Sequence, residues 1–406
     1  MKVLQINCVY KEGSTGKITQ SIHEHLLSEG EQSVVICGRR APKENYIYPI
    51  VSEFRGKLNH LFANVTGVVY GGCLLSTKKI IKYIIKEKPD IVHLQCINGN
   101  FCNIFRLLEF LKKTAVPTVL TLHAEFMYTA NCSHAGSCIQ WKNGCHRCLE
   151  NKTVLHSWFF DRTSYSWRRM HNIYKDWDNL YVVACSKWIA NRASQSGEMA
   201  NRNIRVINNG IDNSTIFYPR LEIRDFITNK YHLPADKKYV LYVSPGFSKL
   251  KGFDLFLELI KKCEDDPLHF LLVGDEYHSC VKNLTTIGKV NDKDLLAKIY
   301  SASDALVICS RNENYPTVCL EAISCGTSVV GFDVGGVSET IYKGMGGVVP
   351  LADIEALRNM LLETLENKIE DKVVENARAK YSKNVMLQEY MSLYKYIYEK
   401  NIINKY

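Results

Sequence analysis

Residues 305–339 read ALVICSRNENYPTVCLEAISCGTSVVGFDVGGVSE. An apolar run at 305–309 is followed by a polar loop, then Pro316, then a helix-like stretch at 317–324. A second apolar run at 328–330 leads into the glycine pair Gly335 and Gly336. Short apolar runs without polar alternation are what strands covered on both faces require. Pro316 suits the first turn of a helix, where its missing N–H costs no hydrogen bond. Strand, loop, helix and strand in this order make the repeating unit of a parallel α/β sheet.

The same alternation runs outward in both directions. Upstream, strand-like runs fall at 239–243, 270–273 and 285–287, with helical patterns at 253–262 and 294–300. An earlier series covers 3–8, 33–37, 91–95, 118–122, 181–184 and 205–207. Ile18, Ile22 and Leu26 put one apolar stripe on the first helix. Between the two series, at about 215–235, the pattern weakens around Pro219 and Pro234 and reads as a linker. The expected architecture is α/β, with two doubly wound Rossmann-like domains: an N-terminal one at 1–215 and a C-terminal one at 216–382. A last helix, 383–406, carries Leu387, Tyr390, Tyr394 and Ile397 on one face and needs a docking surface in either domain. Such sheets bind ligands at the carboxyl ends of their strands, so the chemistry belongs in the loops that follow them.

Composition supports a globular chain and narrows its partners little. Of 406 residues, 46% are hydrophobic and 23% charged, enough to bury two cores. The formal net charge of +9 favours acidic partners: phosphates, nucleic acid or an anionic membrane. The N-terminus does not read as a signal peptide, and no apolar run reaches the roughly 18 residues of a membrane span. A cytoplasmic location is expected. The odd count of 15 cysteines argues against a fully paired disulfide framework.

Glu313 lies in the loop before the 317–324 helix, and Glu321 about one and a half turns further on, a rise of roughly 7–8 Å. Taken alone, such acids most often decorate a helix end. Asn314 and Tyr315 are expected to offer backbone N–H groups to hydroxyls or phosphate, and the glycine pair offers a second close approach. The run from Ser310 to Glu339 changes the reading of the acids. ENYPTVCLE, with SCGTSVVGFDVGGVSE after it, resembles the Glu-x7-Glu signature of family-4 retaining glycosyltransferases of the GT-B fold. That resemblance implies two Rossmann-like domains facing across a cleft and a nucleotide-sugar donor. Glu313 would face the donor sugar and Glu321 would hold the ribose hydroxyls. It implies no catalytic metal and no cofactor.

SPGFSKLKG, residues 244–252, follows a strand and precedes a helix. Two lysines and free N–H groups at such a place suit a diphosphate. The loop resembles the family's Arg-x-x-x-x-Lys-Gly element: Lys251 and Gly252 match its end, while Gly246 stands in place of the arginine and Lys249 is the candidate second cation. Gly288-Lys289-Val290 resembles the family's base-contacting turn, which makes Val290 a donor contact.

Gly13-Ser14-Thr15-Gly16-Lys17 tempts a P-loop reading, but Lys11 stands where the first glycine of that motif is required. As a tight turn at an acceptor or phosphate, Gly13 and Gly16 resemble the glycine loop of colanic-acid and exopolysaccharide-type relatives. His123, at a strand end, reads either as a structural hydrogen-bonding residue or, by the resemblance, as a substrate-contacting and catalytic one. The acid that many relatives carry directly after it is Ala124 here, followed by Glu125, and relatives often have histidines where Gln95 and Asn98 stand. Ser186-Lys187-Trp188 and Asn209-Gly210-Ile211-Asp212 resemble further family turns.

Cys132, Cys138, Cys145 and Cys148 lie close in sequence, the last two spaced as a zinc chelate. Structural zinc, reduced thiols and disulfides all remain open for them. The apolar stretch 61–75, followed by Lys78 and Lys79, reads as a core helix or as a surface for a membrane and a lipid-linked acceptor.

Together these features predict a retaining glycosyltransferase that moves a hexose-type sugar from a nucleotide sugar to a glycan or lipid-linked oligosaccharide in bacterial surface polysaccharide synthesis. Peripheral association with the inner membrane face goes with that reading. A nucleotide-sugar epimerase of the same fold is the enzymatic alternative. A zinc-containing nucleic-acid-binding module is the other, and no nucleic-acid motif interleaves the basic residues.

Overall fold

The computed structural model describes residues 1–39, 44–278, 281–367 and 369–403. The chain divides into two compact units, Met1–Asn208 with Leu387–Tyr406, and Asn209–Met386.

The first unit is built on a seven-stranded sheet, entirely parallel. Its strands are β1 (Lys2–Asn7), β2 (Gln32–Cys37), β3 (Ile47–Pro49), β4 (Ile91–Leu94), β5 (Thr118–Leu122), β6 (Leu180–Ala184) and β7 (Ile204–Val206), in the order β3-β2-β1-β4-β5-β6-β7. The second holds a six-stranded parallel sheet of β8 (Lys238–Val243), β9 (Leu268–Val273), β10 (Leu284–Gly288), β11 (Ala305–Ile308), β12 (Ser328–Phe332) and β13 (Gly346–Val349), ordered β10-β9-β8-β11-β12-β13. Residues of β1, β4 and β5 are buried along their whole central length. That explains their unbroken apolar character, because helices cover both faces.

In each sheet the strand order reverses once, between β1 and β4 and between β8 and β11. Loops leaving the two strands at such a reversal part to opposite faces and open a crevice at the carboxyl edge. The loops concerned are the one after β1 that leads into the helix at Gly13, the one after β4 with Gln95, the 244–252 loop and the loop with Glu313.

Two expectations change. The supposed linker at 215–235 contains the helix Ile223–Tyr231, which packs on the helix Lys293–Ala302 within the second unit. The prolines that weakened the pattern flank this helix rather than mark a tether. The last helix, Lys383–Ile403, docks on the first unit from Leu387 onward. Tyr390 and Tyr394 enter its core. Their hydroxyls lie 3.0 Å from Thr121 Oγ1 and 2.7 Å from His93 Nδ1.

Candidate functional site

In the second unit, the loops after β8 and β11 interlock. Gly252 has φ +67°, and a Cβ there would lie 1.7 Å from the carbonyl oxygen of Cys309. Only glycine permits that approach. Arg311 ties the loops from the other side. Its backbone N–H donates to the Leu250 carbonyl at 2.9 Å. Its guanidinium donates to the Lys249 carbonyl at 2.7 Å and grips Asp254 with two bonds of 2.6 and 2.8 Å.

These clamps set Lys251 against Glu313. The Lys251 ammonium lies 2.6 Å from Glu313 Oε1, and the Ser310 hydroxyl donates to the same oxygen at 2.9 Å. The Glu313 carboxylate is 16% exposed and the lysine 35%, so the pair is reachable from solvent yet held. Behind it, a Cβ on Gly335 would come within 1.6 Å of the Glu313 carbonyl oxygen, and the Gly336 N–H donates to that oxygen at 3.0 Å. The glycine pair therefore serves as the seat of the Glu313 turn rather than as an open phosphate cradle.

The helix Thr317–Ser324 starts after Pro316, its N-cap, with extended φ −69° and ψ 116°. Asn314 and Tyr315 therefore stand in the turn ahead of the helix, with both side chains buried. The N–H groups expected at 314 and 315 are not those of the helix start, which belong to Thr317 and Val318. Glu321 lies in the middle of the helix, where it is buried and accepts from the Tyr300 hydroxyl at 3.2 Å. Lys249 is exposed, and Val290 is half-buried in the turn after β10. Lys251, Gly252, Glu313, Asn314 and Tyr315 thus lie in the loops after β8 and β11 at the crevice edge, while Glu321 lies on the helix that follows. Sequence reading missed Ser310 and Arg311, whose only signal was their place after a strand.

In the first unit, Gly13 opens the helix Gly13–Ser28 at φ +62°, and Gly16 packs under the loop, where a Cβ would be 3.2 Å from Val9 Cγ2. His123 follows β5, its Nε2 3.0 Å from Gln95 Oε1. Glu125, the candidate replacement acid, is fully buried. It accepts from Arg192 at 2.7 Å, from the Tyr128 hydroxyl at 2.6 Å and from the Ala135 N–H at 2.6 Å. Those three donors engage both of its oxygens, so this carboxylate anchors the 125–135 turn. The Ser186 hydroxyl caps the helix Lys187–Ala193 through the Ile189 N–H at 3.1 Å.

Burial holds the His123 ring neutral, its pKa pulled down to about 4. His93 beside it is fully buried and pulled down to about 3 by burial, with His123 adding to the effect. Both start from an ordinary value of 6.5. Below that pH the unfolded chain binds protons that the folded rings refuse, so stability falls as pH drops. The loss continues to about pH 3 for His93 and about pH 4 for His123. For the buried His93 this amounts to about 1.4 kcal/mol per pH unit. Urea unfolding at pH 7 and pH 5 measures it, and His93→Gln should flatten the dependence. An equal slope in the variant would refute the assignment.

Cys132, Cys138, Cys145 and Cys148 share one neighbourhood. Burial raises the Cys132 thiol, and the other three raise it further. The described cysteines are all free. Among the described residues, no group of three or more His, Cys, Asp or Glu is arranged to hold a metal ion. No helix among them is long and apolar enough to cross a membrane.

An α/β unit with a glycine loop and a second α/β unit with a Lys–Glu crevice fit a two-domain GT-B glycosyltransferase. Residues 16–215 match the Glycosyltransferase Family 4 model and residues 223–384 match Glycosyl transferases group 1, and the chain belongs to these families. It is 23% identical to WcaC of Escherichia coli (strain K12), described as a colanic acid biosynthesis glycosyl transferase, over 97% of this chain and 99% of that one. Among solved structures, sucrose-phosphate synthase from Thermosynechococcus elongatus aligns with a TM-score of 0.71 at 18% identity, covering 98% of this chain and 100% of that one. The Anabaena protein HepE, in complex with UDP-glucose, aligns with a TM-score of 0.64 at 15% identity, covering 97% and 99%. At these identities the structural likeness speaks to the fold.

Proposed function

We propose that the chain transfers a hexose-type sugar from a nucleotide-sugar donor, with retention at the anomeric carbon, to a glycan or lipid-linked acceptor of a surface polysaccharide. The observation that carries this reading is the clamped Lys251–Glu313 pair, a fixed cation and a fixed carboxylate within one hydrogen bond of each other. A sugar diphosphate offers phosphate oxygens and sugar hydroxyls side by side. Lys251 takes the diphosphate, Glu313 the sugar hydroxyls, and Glu321 the ribose. The bond from the anomeric carbon to the diphosphate breaks, with Lys251 stabilising the departing charge. The acceptor oxygen bonds to that carbon from the same face, and its proton passes to the diphosphate. WcaC and the UDP-glucose complex of HepE support the donor class and the polysaccharide role. They lend nothing to the epimerase alternative.

A thermal-shift panel of UDP, GDP, ADP and dTDP tests the donor site. At about 100 times its Kd, the matching nucleotide adds about 2.7 kcal/mol to the stability of the unit that binds it. No response to any of the four would sink the proposal.

The reading includes a place at a membrane surface. The helix Glu53–Thr66 turns Leu58, Leu61, Phe62 and Val65 to solvent at helical spacing, each between 38 and 50% exposed. A core helix would bury that stripe, so the core-helix expectation for its start is set aside. Trp158, Phe159 and Phe160 adjoin it, with the Trp158 N–H donating to the Asn64 carbonyl at 2.8 Å. Exposed Lys57, Lys78 and Lys79 supply positive charge. Exposed apolar side chains together with exposed lysines fit an anionic bilayer. The protein should float with phosphatidylglycerol vesicles and stay down with phosphatidylcholine alone. Leu61→Glu combined with Phe159→Glu should weaken flotation about tenfold or more.

A further inference from the structure

A chain of side-chain amides leads to His123 from the core of the first unit. It begins at the Thr19 carbonyl oxygen, which can only accept. Gln5 Nε2 donates to it at 3.2 Å. Gln5 Oε1 is thereby the acceptor end of that amide, and Gln95 Nε2 donates to it at 2.8 Å. Gln95 Oε1 then faces His123 Nε2 at 3.0 Å. An amide oxygen has no proton to give, so the proton in this last bond belongs to the ring. Both glutamines are fully buried, where a reversed amide would set donor against donor or acceptor against acceptor. Each orientation is forced by the one before it, back to a backbone atom.

The strands make this order durable. Gln5 lies on β1 opposite His93 of β4, Gln95 follows β4, and His123 follows β5. Three adjacent central strands therefore hold the relay. Asn7 braces it: its Nδ2 donates to Thr19 Oγ1 at 2.8 Å, and its Oδ1 accepts from the N–H groups of Cys8 and Cys96 at 2.9 and 3.2 Å.

We infer that Gln95, oriented by Gln5, is a positioning residue that fixes His123 as the Nε2–H tautomer and so makes Nδ1 the ring's accepting nitrogen for a substrate hydroxyl. This rests on the glycosyltransferase reading for its substrate, while the tautomer stands independently. A ring kept neutral by burial retains this polarity through the physiological pH range. With the opposite tautomer, Nδ1 would donate and a hydroxyl would have to turn its oxygen rather than its proton to the ring. At a residue set to receive an acceptor's proton-bearing group, that reversal changes which hydroxyl orientation binds.

Nitrogen-15 spectra of histidine-labelled protein test the inference directly, with the His123 signals assigned by their loss in His123→Asn. The wild type should show a protonated Nε2 and a bare Nδ1, unchanged between pH 8 and pH 5. In Gln95→Leu both tautomers should appear. Gln5→Leu should give a mixture as well, and serves if leucine at 95 prevents folding. Gln95→Glu should keep Nε2–H and make the ring titrate at a higher pH than in the wild type. With an identified donor and acceptor, Gln95→Leu should lower kcat about tenfold with the donor KM unchanged. A wild-type Nδ1–H ring, or an unaltered tautomer in Gln95→Leu, overturns the inference whatever the activity. Full kcat with a scrambled tautomer also overturns the positioning role. A failed nucleotide response would count against the Lys251–Glu313 site and leave the tautomer result standing.

Discussion

Glu313→Ala should lower kcat by about a hundred- to a thousandfold, the range seen when one preorganised group that meets developing charge is removed, while nucleoside diphosphate binding survives. The geometry separates the two effects. Glu313 is the carboxylate proposed to hold the sugar, and Lys251 with the surrounding backbone is left intact for the diphosphate. The lysine also loses its 2.6 Å partner, so it meets the diphosphate without competition, and affinity for the nucleotide should hold or rise. Stability should change by less than about 1 kcal/mol, because an ion pair this open to solvent contributes little. The turn itself is held by Gly335, Gly336 and Arg311, through backbone atoms that the substitution leaves in place. Turnover is measured with the donor found in the nucleotide panel, and binding by the same thermal shift. Normal transfer by the alanine variant would remove Glu313 from the site. Loss of nucleotide binding together with turnover would instead make it part of the phosphate grip.

The double α/β pattern was legible because its strands are buried on both faces, and short apolar runs show that plainly. β3 and β13 were missed for a physical reason. β3 has only three residues, and β13 begins with Gly346 and Gly347, which carry no apolar signal. The crevice could be placed from sequence because Pro316 and the glycines punctuate the loops. What those glycines do could not be read. Gly252 and Gly335 are needed for contact with the carbonyls of Cys309 and Glu313, residues distant in sequence, and a composition rule sees only a permissive backbone. The exposed apolar stripe was hidden for a related reason. Leu58, Leu61, Phe62 and Val65 have the spacing of a core face, and only the surrounding fold shows that the face points outward. Likewise the docking side of the last helix depended on Thr121 and His93, polar groups whose partners lie more than 250 residues away.

Glu125 shows where reading along a motif fails and packing decides. Its place two residues after His123 left open whether it replaces the acid that relatives carry beside the substrate. The side chain instead turns into the core, fully buried, with three donors on its two oxygens. Arg192, its charge partner, lies 4.9 Å from the Trp141 ring and 5.0 Å from that of Trp188, so the cation is confined between aromatic faces. Glu125→Ala would leave this arginine, the Tyr128 hydroxyl and the Ala135 N–H without their acceptor. Breaking a buried pair from one side costs about 3–5 kcal/mol, which for a unit of this size lowers Tm by about 10 °C. Glu125→Gln keeps the shape and one accepting oxygen, and should cost about half as much. If the carboxylate served the substrate, the glutamine variant would lose turnover at an unchanged Tm. The packing predicts the reverse: a lowered Tm in both variants, with transfer at a temperature well below unfolding retained in Glu125→Gln, because the group proposed to meet the acceptor hydroxyl is the accepting Nδ1 of His123, while this acid lies in the core.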